Sequence, residues 1–238
     1  MDVYWSPYVL PEEYEYHQKA YFEPEPLMHS LTPMRNPDAD PKNSWFACPA
    51  TKASITNTFI VRNPHHLNFN FNDDGTSYYP NGTDTTGWAK TRTAALTGAL
   101  TIDIAMSVVF FSSESLEATT TPPYMHAPEN SLYGHYVPGT YDIGSWLRPI
   151  DFSFQLWPGI KSYVAAQGEP MLYVKFHTKE KVNLIRFDLN KEIYDIGAHC
   201  VGYKQEKPKT PLVELYKGFE EHRAFTLDLI KKASRNPT

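Results

Sequence analysis

Cysteine is scarce: Cys48 and Cys200 are the two in 238 residues, and they lie far apart in the chain. No Cys-x-x-Cys spacing exists, so zinc ribbons and thioredoxin-like redox sites are excluded. A single disulfide is allowed but not demanded, and two unpaired thiols in a reducing compartment is the simpler reading. A Gly-rich phosphate loop is also missing, in both its Walker and its Gly-x-Gly-x-x-Gly forms. The nucleophile elbow Gly-x-Ser-x-Gly is absent too. Ser145 in "DIGSW" is followed by Trp146 and Leu147 where a second glycine is needed, so it reads as a turn residue. Positive charge is in deficit, with Lys+Arg 22 against Asp+Glu 27 and a net charge of −5. That balance gives no basic footprint for nucleic acid. The two short basic clusters, "HTKEKVNLIR" and "IKKASR", read as solvated faces.

No apolar run approaches the roughly 18 residues a membrane span needs. The first residues, "MDVYWSPYVLPEEYEY", show neither a basic n-region nor an apolar h-region. The expectation is a cytoplasmic protein (host cytoplasm if viral) with no membrane partner. Asn81-Gly82-Thr83 fits a glycosylation acceptor and, without a secretory route, reads as a bare turn.

What is abundant is proline and aromatics: 20 Pro, 16 Tyr and 13 Phe. Aromatics suit pleated, half-buried surfaces, and prolines punctuate loops and strand edges. "HHLNFNFNDDG" alternates Leu67, Phe69 and Phe71 against asparagines and ends on the hairpin signal Asp73-Asp74-Gly75. "IDFSFQLW" alternates Ile150, Phe152, Phe154 and Leu156 against Asp151, Ser153 and Gln155. Leu100 to Phe111 predicts a strand, against a competing helix over 92–106 that Gly98 and the β-branched residues disfavour. Further strands are expected around Thr58–Val61, Met171–Phe176 and "VNLIRFDLN". The fold class predicted is mainly β, a β-sandwich or jelly roll in one domain. Residues 1–43 are expected as an irregular Pro-rich arm wrapping the body, with a short helix from Glu12 to about Ala20. Residues 44–208 form the body. One C-terminal α-helix follows in 209–238, with Thr210 as N-cap and Pro211 at the first helical position.

The densest cluster of chemistry is "YGHYVPGTYDIGSWLRPIDFSF", Tyr133 to Phe154. Its candidate ligand-binding residues are His135, Tyr141, Asp142, Trp146 and Arg148. Arginine can stack on Trp146 or pair with Asp142 or Asp151, which suits a polar ligand with a flat or anionic part. The same residues can instead form a buried Arg–Asp pair beneath a tryptophan lid. No cofactor is expected on the main reading. The alternative is a metal-dependent jelly-roll oxygenase or hydrolase, with His126, His135 and His177 holding iron, zinc or manganese. His199 beside Cys200 is read on a strand, where neighbours point to opposite faces. Both thiols are read as core or loop residues.

"WLRPIDFSFQLWPGIKSYVAAQGEPMLYVKF", with "SWFACPA" and "NTFIVRNP" upstream, resembles uncharacterised proteins of marine bacteriophages, cyanophages among them, and of some bacteria. The resemblance spans roughly residues 44–190, its motifs are structural, and it implies origin rather than activity. The main expectation is an accessory protein that binds a small polar ligand or a protein partner without catalysis. A virion or assembly component is a further alternative. It would be a homo-oligomer whose first 50 residues cross to a neighbour.

Overall fold

The computed structural model describes residues 1–10, 19–34, 45–72, 76–85, 89–93 and 99–235. The Asp73-Asp74-Gly75 turn and most of the helix expected from Glu12 lie outside the described residues. The fold is mainly β, as expected, and sandwich-like. Its strands are β1 (Asp2–Pro7), β2 (Glu25–Pro26), β3 (Thr58–Arg62), β4 (Leu67–Phe71), β5 (Ser77–Tyr78), β6 (Ala89–Thr93) and β7 (Leu100–Ser112). They continue with β8 (Glu117–Thr121), β9 (Gly134–Tyr136), β10 (Gly139–Asp142), β11 (Pro149–Leu156), β12 (Ser162–Ala165), β13 (Pro170–Phe176) and β14 (Asn183–Arg186). Short helices α1 (Leu27–Leu31) and α2 (Pro49–Ile55) come early, and long helices α3 (Lys191–Glu206) and α4 (Leu212–Ala233) come last.

One sheet runs β14-β1-β7-β11-β9, with β6 also on β7. A second runs β10-β8-β13-β3-β2, and a small third runs β12-β4-β5. Strand alternation explains the layers. Trp5, Phe110, Phe152 and Phe154 of the first sheet meet Phe59, Val174 and Phe176 of the second in the main core. Their strand neighbours Tyr4, Val109 and Phe111 point the other way, onto Leu215, Phe219 and Ile230 of α4 and Ile193 of α3. On the far side of the second sheet, Ile60 and Tyr173 meet Leu27, Leu31 and Ile55. The order is thus long helices, six-stranded sheet, five-stranded sheet, short helices. A strand covered on both faces buries every residue, which is why β13 reads as a nearly continuous apolar run.

Three expectations need correction. Residues 2–7 are no part of an irregular arm: β1 pairs in parallel with β14 and antiparallel with β7, inside its own chain's sheet. Pro7 ends this strand without interrupting it. Prolines 24 and 26 likewise do not prevent β2, which sits on a sheet edge where a missing N–H is tolerated. Second, the C-terminal helix has a companion. Asn190 caps α3, its side chain accepting from the Ile193 N–H at 2.9 Å. His199 and Cys200 therefore lie on a helix rather than a strand. Third, α4 starts one residue later than expected, with Pro211 at the cap position and no side-chain cap bond.

Candidate functional site

β9 and β10 are the edge strands of the two large sheets on the same side of the sandwich, joined by Val137-Pro138. The chain then returns from β10 to β11 through residues 143–148. This return is held by one carboxylate. Asp142 Oδ1 accepts from the N–H groups of Gly144 at 2.8 Å, Ser145 at 3.1 Å and Leu116 at 3.0 Å. Its Oδ2 accepts from Ser145 Oγ at 2.9 Å and from Ser115 Oγ. Burial pushes the Asp142 carboxyl up, but the bonds from Ser115, Leu116, Ser145 and Gly144 together outweigh it and hold the pKa below its ordinary value. Gly144 is required by close approach: a Cβ there would collide with the Glu114 carbonyl. Ser145 is a turn residue, as expected. Ile143 drops into the main core, while Trp146 and Leu147 drop into the helix-side core.

Where these strands meet the first turns of α4 lies a cavity of about 300 Å³. Tyr141, Asp142, Trp146 and Arg148 line it, so the structure brings four of the five candidate residues together. His135 is turned away. Its strand neighbour Tyr136 lines the cavity, and His135 packs on Trp157 at 5.0 Å between ring centroids. Tyr136 donates to the Asp151 carbonyl at 2.8 Å, and Tyr216 of α4 accepts from the Asp142 N–H at 3.0 Å. Trp146, 5% exposed, meets Tyr216 edge-on at 5.7 Å. Asp103 and Asp151 complete the polar wall beside a register slip, where Asp151 pairs with Ser107 but Phe152 pairs with Ile104. Such bulges re-aim side chains next to sites. Ser153 donates to Asp103 Oδ1 at 2.5 Å, and Ser107 to Asp151 Oδ1 at 3.2 Å.

The polar atoms of this wall that are sealed from water with no hydrogen-bond partner among the described residues include the Tyr141 hydroxyl, Arg148 Nε and Trp146 Nε1. Tyr141 is a half-buried residue whose polar end is its inner end. Burial pushes its phenol well above the usual range, with Tyr136 adding to the rise, so the group is a neutral O–H at all ordinary pH. Arg148 reaches Asp151 at only 3.7 Å, and the two side chains are 42% and 45% exposed. The buried Arg–Asp pair under a tryptophan lid is therefore not what forms. Arg148→Ala is expected to lower stability by about 0.5 kcal/mol in urea unfolding, as for other exposed ion pairs. A loss of several kcal/mol would show the guanidinium to be structural.

The other histidines are held apart. His126 Nε2 lies 2.9 Å from Ser30 Oγ, and its Nδ1 bonds the Tyr173 hydroxyl. That contact has the outline of a nucleophile and its base, but the proton count opposes it. The Tyr173 hydroxyl already accepts from the Met125 N–H and has one proton to give, to Nδ1. The remaining proton then sits on Nε2 and is donated to Ser30, so the imidazole cannot accept the serine proton. Burial first, then Arg62, lowers the His126 pKa and keeps the ring neutral. His177 bonds Thr119 Oγ1 at 2.7 Å, at the opposite end of the β8–β13 ladder from His126. Tyr173, which His126 contacts, lies four residues before His177, roughly 13 Å along an extended chain. The site imagined from His126, His135 and His177 is thus not assembled. Among the described residues no group of three or more His, Cys, Asp or Glu is arranged to hold a metal.

A second cleft of about 520 Å³ runs between α3 and α4, with His199, Cys200, His222 and Phe225 on its walls. Burial pushes the Cys200 thiol up to about 12, so it is a buried thiol rather than a nucleophile. Among the described residues Cys48 and Cys200 are both free, one exposed and one buried. No described helix is long and apolar enough to cross a membrane. Comparison of the chain with protein-family models, with curated proteins and with solved structures finds no match.

Proposed function

We propose that this protein is a non-catalytic binding module that takes a small polar ligand in the cavity between β10, β11 and α4. The observation that carries the reading is the set of sealed polar atoms in one wall, the Tyr141 hydroxyl and Arg148 Nε among them. Leaving such groups unpaired costs roughly 1–3 kcal/mol each, and folded proteins rarely leave them so. A bound molecule that supplies their partners recovers that cost. The cavity is at the lower end of the range for small-molecule sites, roughly 300–1,000 Å³.

Chemistry by the walls themselves has little support. No histidine and no cysteine is among the described residues lining the cavity. Asp151 and Ser153 are two apart on β11, and Ser153 pairs with Asp103, so both carboxylates rise from one sheet face. A glycosidase pair must flank the bond it cleaves. An accessory role in a bacteriophage or bacterium, implied by the sequence resemblance, is compatible with a binding module of this kind.

Tyr141→Phe separates binding from folding. The hydroxyl has no internal partner to lose, so the variant is expected to be as stable as the parent, or more stable by about 1 kcal/mol. Compounds that raise the melting temperature of the parent in a small-molecule screen should lose most of that effect on the variant. If every such compound stabilises both proteins equally, the cavity is not the binding site and the proposal fails.

A further inference from the structure

We infer that the ligand is a neutral, hydroxyl-rich ring of about the size of one sugar unit. The inference rests on the binding-module reading above. It follows from how charge and apolar surface are distributed in the wall. Among the described residues, Asp103, Asp142 and Asp151 line the cavity against one cation, Arg148, so an anionic ligand meets a net negative field. A cationic ligand gains little, because each carboxylate already has donors. Asp142 is saturated by the 143–145 turn and Ser115, Asp103 accepts from Ser153, and Asp151 accepts from Ser107 with Arg148 nearby.

The Arg148 and Asp151 side chains are partly exposed, while the sealed atoms include a neutral donor, the Tyr141 hydroxyl, and a donor of the Arg148 guanidinium, Nε. An anion that reached Arg148 Nε would lose its hydration among three carboxylates, and a cation would meet the donors of Tyr141 and Arg148, a large cost in either case. A neutral hydroxyl exchanges a water partner for Tyr141 at little cost. The remaining inner surface is aromatic. Tyr136 and Trp146 are buried and Tyr216 closes the α4 side. A saturated ring carrying hydroxyls has an apolar face for such rings and a polar edge for Tyr141 and Arg148 Nε. Aliphatic alcohols lack the face, and flat aromatic acids bring the excluded charge.

Saturation-transfer NMR and titration calorimetry on the full chain test this with four probe sets. These are neutral monosaccharides and their methyl glycosides, the corresponding uronic acids, the amino sugars, and non-sugar controls comprising amino acids and inorganic phosphate. The expected result is saturable binding of at least one neutral sugar, weakened tenfold or more by Tyr141→Phe and by oxidation of the sugar to its uronic acid. If only amino sugars, amino acids or anions bind, and Tyr141→Phe weakens them, the neutral-sugar inference is overturned while the binding module stands. If a neutral sugar binds equally well to Tyr141→Phe and Arg148→Ala, its site lies elsewhere and both readings fall. Failure of every probe, neutral sugars included, also overturns the inference.

Discussion

Asp142→Ala should cost about 3 kcal/mol of stability and abolish the cavity. The substitution strips partners from the N–H groups of Leu116, Gly144 and Ser145 and from two serine hydroxyls. Charge-assisted bonds of this kind contribute roughly 1.5–3 kcal/mol each, less where water can reach the donors, and they do not add. Asp142→Asn keeps the shape but loses the charge, and about 1 kcal/mol is expected from it. The pH dependence separates charge from shape. The folded carboxyl has a pKa held below its ordinary value of 3.8. Its contribution is therefore fully present above that value and is lost as pH falls through the lower, folded pKa. The stability gap between the parent and Asp142→Asn should be constant from neutral pH down to about 4, then narrow in stronger acid. Urea unfolding at several pH values measures it. A gap that does not change down to the lowest pH at which both proteins fold would mean that charge is not what Asp142 contributes.

Trp5→Ala is expected to be at least as damaging, at about 4 kcal/mol, the usual range for a fully buried large aromatic being 3–5. Trp5 is 1% exposed in the main core, and the Arg186 guanidinium lies 5.2 Å from its ring centroid. The loss combines a cavity, a broken cation–π contact and a weakened β1 between β7 and β14. An equilibrium unfolding midpoint close to the parent's would show that β1 is peripheral. The same placement changes what truncation can report. A chain lacking residues 1–42 loses an internal strand, so a change in its association would reflect an opened sheet rather than a missing arm.

Much of the sandwich is legible in the sequence because its strands bury one face. β4 and β11 alternate as written, and Phe69 and Phe152 are fully buried. β1 escapes that logic. It is covered by the second sheet on one face and by helices on the other, so "VYWS" shows no alternation, and the following prolines suggest an arm. α3 carries a readable signal in Asn190 and the Ile193, Gly197, Cys200 spacing. Two glycines obscure it, and Gly197 is there for packing, since a Cβ would strike Tyr8. The site is half legible. The run from Tyr141 to Arg148 is continuous, and its residues meet. His135 points away because the strand period puts Tyr136 on the cavity side. Tyr216 has no local signal at all, since it arrives from a helix 74 positions after Asp142.

The parallel pairing of β1 with β14 also sets an order of events during synthesis. Tyr4 leaves the ribosome before both of its partners, Phe111 on one side and Ile185 on the other. The six-stranded sheet therefore cannot close until Arg186 has been made, and contacts of such long sequence separation form slowly. Through that interval an apolar, aromatic segment waits with both edges bare, the state in which nascent chains associate with one another. Asp2 and Pro7 bracket it with a charge and a residue unable to extend a ladder, placed where they discourage pairing with the wrong chain.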